Sequence, residues 1–62
     1  MPYVSIRVAG TLSREQKEQM CGEVTDVISR IADKPKDSII IFIDEVEREN
    51  IASGGKLLQP PF

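Results

Sequence analysis

The chain has 62 residues, a formal net charge of −2, one cysteine and no histidine. These features exclude an intrachain disulfide and a Cys/His zinc site, and the acidic balance argues against nucleic acid as a partner. Residues 1–62 are enough for a single domain whose own core is marginal, so we expect copies of the chain to associate. The longest apolar run, residues 39–43, is far too short to cross a membrane.

The first half of the sequence predicts a strand followed by a helix. Residues 3–8 alternate, with Val4, Ile6 and Val8 on one face, as in a half-buried strand. Ser13 and Gln16 fit a capping box, which predicts a helix from about residue 14 to 32 that ends before Pro35. Its apolar residues recur at steps of three and four and form one stripe, made of Met20, Val24, Val27, Ile28 and Ile31.

The second half predicts a buried strand and a hairpin. Residues 38–46 form the second strand, and their unbroken run of isoleucine and phenylalanine indicates a strand covered on both faces. The helical connection favours a parallel β-α-β unit with a right-handed crossover. One helix covers only one face, so another subunit is expected on the other. Gly54-Gly55 predicts a tight turn into a short strand at residues 56–58, and Pro60-Pro61 cannot continue a sheet.

Most familiar catalytic arrangements are absent from the sequence. Without histidine there is no Ser-His or Cys-His pair, and no glycine-rich phosphate loop follows the first strand. Cys21 lies close to the apolar stripe, where a packed thiol is the preferred interpretation. Asp44 and Glu45 are adjacent in a strand and point to opposite faces, so we interpret them as a solvated rim rather than a carboxylate pair.

Pro2 is the remaining candidate. A proline at this position can simply begin an edge strand. A free N-terminal proline, however, is a secondary amine, and ordinary α-amino groups titrate at about 7.7–8.0. Burial beside apolar side chains would lower that pKa towards neutrality and make the amine a general base without histidine.

The order and spacing of these motifs resemble the 4-oxalocrotonate tautomerase family. The resemblance rests on Met-Pro and an alternating strand, Ser13 to Lys17, Pro35, the isoleucine-rich strand ending at Asp44-Glu45, and Gly54-Gly55. It implies a cytoplasmic α/β subunit, also described as α+β, that dimerises into a four-stranded sheet and assembles as a hexamer, a trimer of dimers. It also implies an isomerase that uses no cofactor or metal and moves a proton in small unsaturated 2-hydroxy or 2-oxo acids. Pro2 would be the catalytic base after removal of Met1.

Several positions bear on how a substrate would be held. The family has arginines where this chain has Leu12 and Ile40, and a phenylalanine where it has Ile51; those arginines bind substrate carboxylates. Other cations that could replace them are Arg7, Arg14, Arg48 and Lys56, each of which is otherwise an ordinary surface charge.

Three functions remain open at this point. The first is a tautomerase acting on a small enolisable acid. The second is a non-catalytic oligomeric interaction module on the same scaffold, suggested by the missing arginines. The third, hydration or dehalogenation of an unsaturated acid, ranks last because it also needs cations to hold a carboxylate.

Overall fold

The computed structural model describes residues 1–60, which form a β-α-β unit followed by a hairpin. Strand β1 (Tyr3–Ala9) pairs in parallel with strand β2 (Ile40–Val46), and helix α1 (Arg14–Ala32) connects them. Short 3₁₀ turns at Lys36–Ser38 and Arg48–Asn50 flank β2, and strands β3 (Ala52–Ser53) and β4 (Lys56–Leu57) form an antiparallel hairpin. The predicted β-α-β order, the parallel pairing and the C-terminal hairpin are confirmed.

Helix α1 has the ends that the sequence predicts. The Ser13 hydroxyl accepts a hydrogen bond from the Gln16 N–H at 3.1 Å, and the Gln16 side chain accepts one from the Ser13 N–H at 2.9 Å. At the other end Asp33 adopts a left-handed conformation with φ 56° and donates its N–H to the Ser29 carbonyl. Each end of the helix therefore finds local partners for some of its free backbone groups.

Strand β2 begins at Ile40, two residues later than the sequence predicts. Residues 36–38 form a 3₁₀ turn, in which the Ser38 hydroxyl donates to the Pro35 carbonyl at 2.7 Å and the Ile39 N–H donates to the Lys36 carbonyl at 3.2 Å. These local bonds compete with the sheet for the same backbone, as serine side chains often do.

The C-terminal hairpin turns at two glycines with positive φ. Gly54 has φ 61° and Gly55 has φ 82°, the pattern of a type I′ turn. The Leu58 N–H donates to the Ile51 carbonyl at 2.8 Å and extends the pairing by one bond. The expected effect of Pro61 on the sheet lies outside the described residues.

The subunit is flat and has an unusually large surface. None of the described residues is fully buried, and the radius of gyration is 14.6 Å, where a compact chain of this length has about 10.6 Å. Its surface is 5109 Å², whereas a compact monomer of 6.9 kDa exposes about 4,000 Å². Along residues 1–60 no helix combines the length and the apolar character needed to span a membrane.

Apolar side chains account for part of this surface. On the sheet face away from α1, Tyr3 is 67% exposed and Phe42 is 54% exposed. Val27 and Ile31, which the sequence places in the packed stripe of the helix, are 45% and 71% exposed. The helix packs on the sheet through a face that includes Met20, Val24 and Ile28, and Val27 and Ile31 lie on its flank.

Candidate active site

Pro2 lies at the start of the sheet, where the two parallel strands begin together. Its carbonyl accepts a hydrogen bond from the Ile40 N–H at 3.0 Å, which ties the N-terminus to the first residue of β2. Pro2 is half-buried, whereas Met1 is 70% exposed. While Met1 is attached the Pro2 nitrogen is an amide without basicity, so Pro2 could act as a base only after that residue is removed.

The strand residues nearest to Pro2 in one subunit are apolar. Tyr3 lies opposite Ile40 in the register, and its ring stacks on Phe42 with centroids 6.4 Å apart. Half-buried Ile39 and Ile40 follow the 3₁₀ turn. Apolar neighbours disfavour the protonated form of an amine, which is the environment that a general base near neutral pH requires.

Leu12 lies at the opposite end of the sheet from Pro2. It follows β1, and seven strand residues separate the two ends by about 20 Å within one subunit. The Leu12 N–H donates to the Glu45 carboxylate at 2.8 Å, and the Lys17 ammonium donates to the same carboxylate at 2.8 Å. Leu12 and Pro2 can therefore share a site only if they come from different subunits.

Glu45 connects the segment between β1 and α1 to the sheet, a role that the sequence did not predict. The hydrogen bond from Lys17, followed by that from the Leu12 N–H, holds the pKa of the Glu45 carboxyl below its usual value. The prediction that Asp44 and Glu45 point to opposite faces agrees with their partners, because Asp44 contacts Arg7 and Glu45 contacts Lys17. Strand alternation placed Glu45 on the helix face, but only the packed structure shows which helical side chain it meets.

Two of the candidate cations are already engaged by carboxylates. Arg7 lies 3.4 Å from Asp44 on the outer face of the sheet. Arg14 lies 3.0 Å from Glu18 in the first turns of α1, with 90% of its side chain exposed. Neither contacts Pro2 in the same subunit, and exposed pairs of this kind contribute little to stability.

Arg48 occupies a different environment, at the end of the sheet away from Pro2. It is half-buried, and its Nε donates to the Gln59 carbonyl. It lines a cavity of about 310 Å³ between the end of β1 and the hairpin. The residues that line this cavity are Ala9, Gly10, Glu47, Arg48, Glu49, Leu57, Leu58 and Pro60.

The remaining candidates divide between the two ends of the sheet. Ile40 is next to Pro2, as described above, whereas Ile51 accepts a hydrogen bond from Leu58 in the hairpin beside the cavity. Lys56 pairs with Ser53 in the hairpin register. Cys21 is a half-buried free thiol on α1, and within residues 1–60 no three histidine, cysteine or acidic side chains converge as metal ligands.

Comparisons with known proteins identify the family. A family model described as "Tautomerase enzyme" matches residues 2–59. A probable tautomerase of Streptococcus pyogenes serotype M3 is 41% identical over 59 residues, which cover 95% of this chain and 97% of the relative.

Solved structures agree with that match. DmpI from Helicobacter pylori superposes with a TM-score of 0.81 at 32% identity, covering 90% of this chain and 94% of that one. YwhB, described as a homologue of 4-oxalocrotonate tautomerase, superposes with a TM-score of 0.84 at 27% identity, covering 90% and 92%. The expected resemblance is confirmed, and the chain belongs to the tautomerase family, a class of isomerases.

Proposed function

We propose that this protein catalyses keto–enol proton transfer on a small enolisable acid, with the Pro2 nitrogen as the general base after removal of Met1. The observation that carries the proposal is the placement of Pro2, half-buried at the apolar start of the sheet and held by the Ile40 N–H in a chain of the tautomerase family. Unsaturated 2-hydroxy or 2-oxo acids are the substrates that the resemblance favours.

The proposed chemistry requires one proton to move between two atoms of the substrate. The neutral pyrrolidine nitrogen accepts the hydroxyl proton of the enol, and the electrons of the O–H bond form the carbonyl. The carbon that gains electron density then takes a proton from the pyrrolidinium, which regenerates the base. A secondary amine with a pKa near neutrality suits both halves of this cycle.

The decisive requirement is a free Pro2 nitrogen. Met1 is 70% exposed, which leaves the Met1–Pro2 bond accessible to a processing peptidase. Intact-mass measurement of protein from a normal expression host should show loss of Met1. Retention of Met1 in the native protein would contradict the catalytic role of Pro2.

Two variants test the base directly. Pro2→Ala replaces the secondary amine, and an uncleaved N-terminal extension keeps the ring but converts its nitrogen to an amide. Both should abolish ketonisation of phenylenolpyruvate and 2-hydroxymuconate, measured by the decay of enol absorbance. Parent-like rates in either variant would refute the proposal.

We also propose that the active protein is a homo-oligomer built from dimers with four-stranded sheets, and that the dimers assemble as hexamers. Its support is the large surface of the subunit and the exposed Tyr3, Val27, Ile31 and Phe42. Such a protein would work in the cytoplasm, where a lone thiol such as Cys21 stays reduced.

The alternative function is a non-catalytic interaction module on the same scaffold. Leu12 and Ile40 favour it, because neither side chain can bind a carboxylate, and Arg7, Arg14 and Arg48 have their described polar partners away from Pro2. This module would assemble normally but give no turnover above background with either substrate. Any robust turnover that depends on Pro2 would exclude it.

A further inference from the structure

The cavity beside the hairpin has no assigned occupant. Its volume of about 310 Å³ falls at the lower end of the range for small-molecule sites. Leucine, proline and alanine line part of it, and Arg48 is the one basic residue among its described lining residues. A half-buried cation in a partly apolar cavity is suited to a small carboxylate with an apolar body.

Arg48 has donors available for such a carboxylate. A guanidinium carries five N–H groups, of which the Nε–H is used by the neutral Gln59 carbonyl. Glu47 and Glu49 also line the cavity, but within residues 1–60 no carboxylate lies within 4 Å of the Arg48 guanidinium. Arg48 thus differs from Arg7 and Arg14, which have carboxylate partners.

The free edge of β1 could pair with a second copy of the chain. Within the described part of the chain β1 pairs only with β2, so its other edge is open. A strand that pairs antiparallel with itself about a two-fold axis at Ile6, the midpoint of β1, places Tyr3 opposite Ala9 of the partner subunit. One step further, Pro2 faces Gly10 of the partner subunit.

This register also keeps like side chains together. Directly opposite residues of an antiparallel pair lie on the same face of the sheet. Val4 would therefore meet Val8 of the partner subunit, and the two faces covered by helices would become continuous. Arg7 would face Ser5 of the partner subunit, so no like charges oppose each other.

We propose that the cavity of one subunit receives the N-terminus of a second copy, and that Arg48 binds the carboxylate of the substrate on which the second copy's Pro2 acts. Gly10 lines the cavity, and in this register it is also the residue that faces Pro2 of the second copy. The register would therefore place Pro2 of the second copy next to the cavity. The inference rests on the proposed function of Pro2. It supplies the cation that Leu12 and Ile40 cannot provide.

Substitution of Arg48 tests the contact. Arg48→Ala should raise KM for phenylenolpyruvate about 10- to 100-fold, the usual worth of a hydrogen-bonded charge, with a smaller change in kcat. Arg48→Lys keeps the charge and should recover part of that loss. Arg30→Gln, an exposed change on the last turn of α1, is the matched control and should behave as the parent. An unchanged KM in Arg48→Ala would refute the role of Arg48.

Mixing subunits tests whether the contact crosses between copies. Pro2→Ala and Arg48→Ala subunits, carrying different C-terminal tags, are unfolded together and refolded as mixed oligomers. If the site combines Pro2 of one subunit with Arg48 of another, about a quarter of the sites regain both groups, and activity at subsaturating substrate rises to about a quarter of the parent value. If both groups act within one subunit, no site regains both.

The outcomes separate this inference from the proposed function. Activity that survives Pro2→Ala removes the proposed function and this inference with it. Loss of activity in Pro2→Ala together with a normal Arg48→Ala removes only the inference about Arg48. A defective Arg48→Ala without recovery on mixing refutes the arrangement across subunits, provided that tag pull-down shows mixed oligomers.

Discussion

Phe42 provides a quantitative test of the expected association. It is 54% exposed on the outer face of the sheet, next to Tyr3. An aromatic side chain presents roughly 200 Å², so about 110 Å² of Phe42 is available to a second subunit, worth about 2.7 kcal/mol at 25 cal/mol per Å². If the contact buries Phe42 of both copies, Phe42→Asp should weaken the free energy of association by about 5 kcal/mol. Burial of the new charge would add to this loss.

That loss corresponds to a dissociation constant on the order of 10³- to 10⁴-fold weaker. Sedimentation equilibrium over a dilution series measures it directly, with Gln19→Asp on the exposed side of α1 as a control of equal introduced charge. The parent and the control should remain in the larger assembly at concentrations where Phe42→Asp falls to a smaller species, no larger than the dimer paired through β1. Equal association of all three proteins, or a monomeric parent, would show that the outer face takes no part in association.

Three stability predictions concern local features of the subunit. Folding lowers the pKa of Glu45 from its ordinary value of 4.5. The stabilisation that Glu45 gives to the folded chain should therefore be fully present above pH 4.5 and be lost as the pH falls through the folded pKa. The difference in Tm between the parent and Glu45→Gln should therefore shrink on acidification, and a constant difference would contradict this. Ser13→Ala removes the helix cap and should cost about 1 kcal/mol in urea unfolding, whereas Ser13→Asp should be nearly neutral. Gly55 has φ 82°, so Gly55→Ala should lower the free energy of unfolding by about 1–2 kcal/mol. Gly22 lies in the helix with open space around it, so Gly22→Ala should raise the free energy of unfolding by about 0.5–1 kcal/mol. Equal effects of the two substitutions would refute the conformational argument.

The helix and the hairpin could be predicted because their signals are local. Ser13 and Gln16 satisfy each other across three residues, and the two glycines of the turn adopt positive φ without help from distant residues. The start of β2 could not be predicted in this way. Ser38 could either extend β2 or form a 3₁₀ turn in which its hydroxyl donates to the Pro35 carbonyl. Which of the two conformations is more stable depends on the path of the chain after the helix.

The candidate site shows the same division. The sequence predicted Pro2 as the reactive group, since a chain without histidine has few other bases, and it offered Arg48 as one of several candidate cations. Which cations already have partners was decided by packing, because ion pairs such as Arg7–Asp44 join residues far apart in the chain.

By itself the sequence determined the β-α-β order and the parallel pairing, and it predicts association with other copies. Periodicity and capping patterns involve residues close together in the chain, and chain length limits how much surface can be buried. All three can be read from the sequence without knowing how the chain packs. The tertiary structure alone decided that Pro2 and Leu12 lie at opposite ends of the sheet, and that Arg48 lies beside Gly10 in a cavity. The physical reason is that parallel strands place their starts together and their ends together, so neighbours in the site are set by register and hairpin packing.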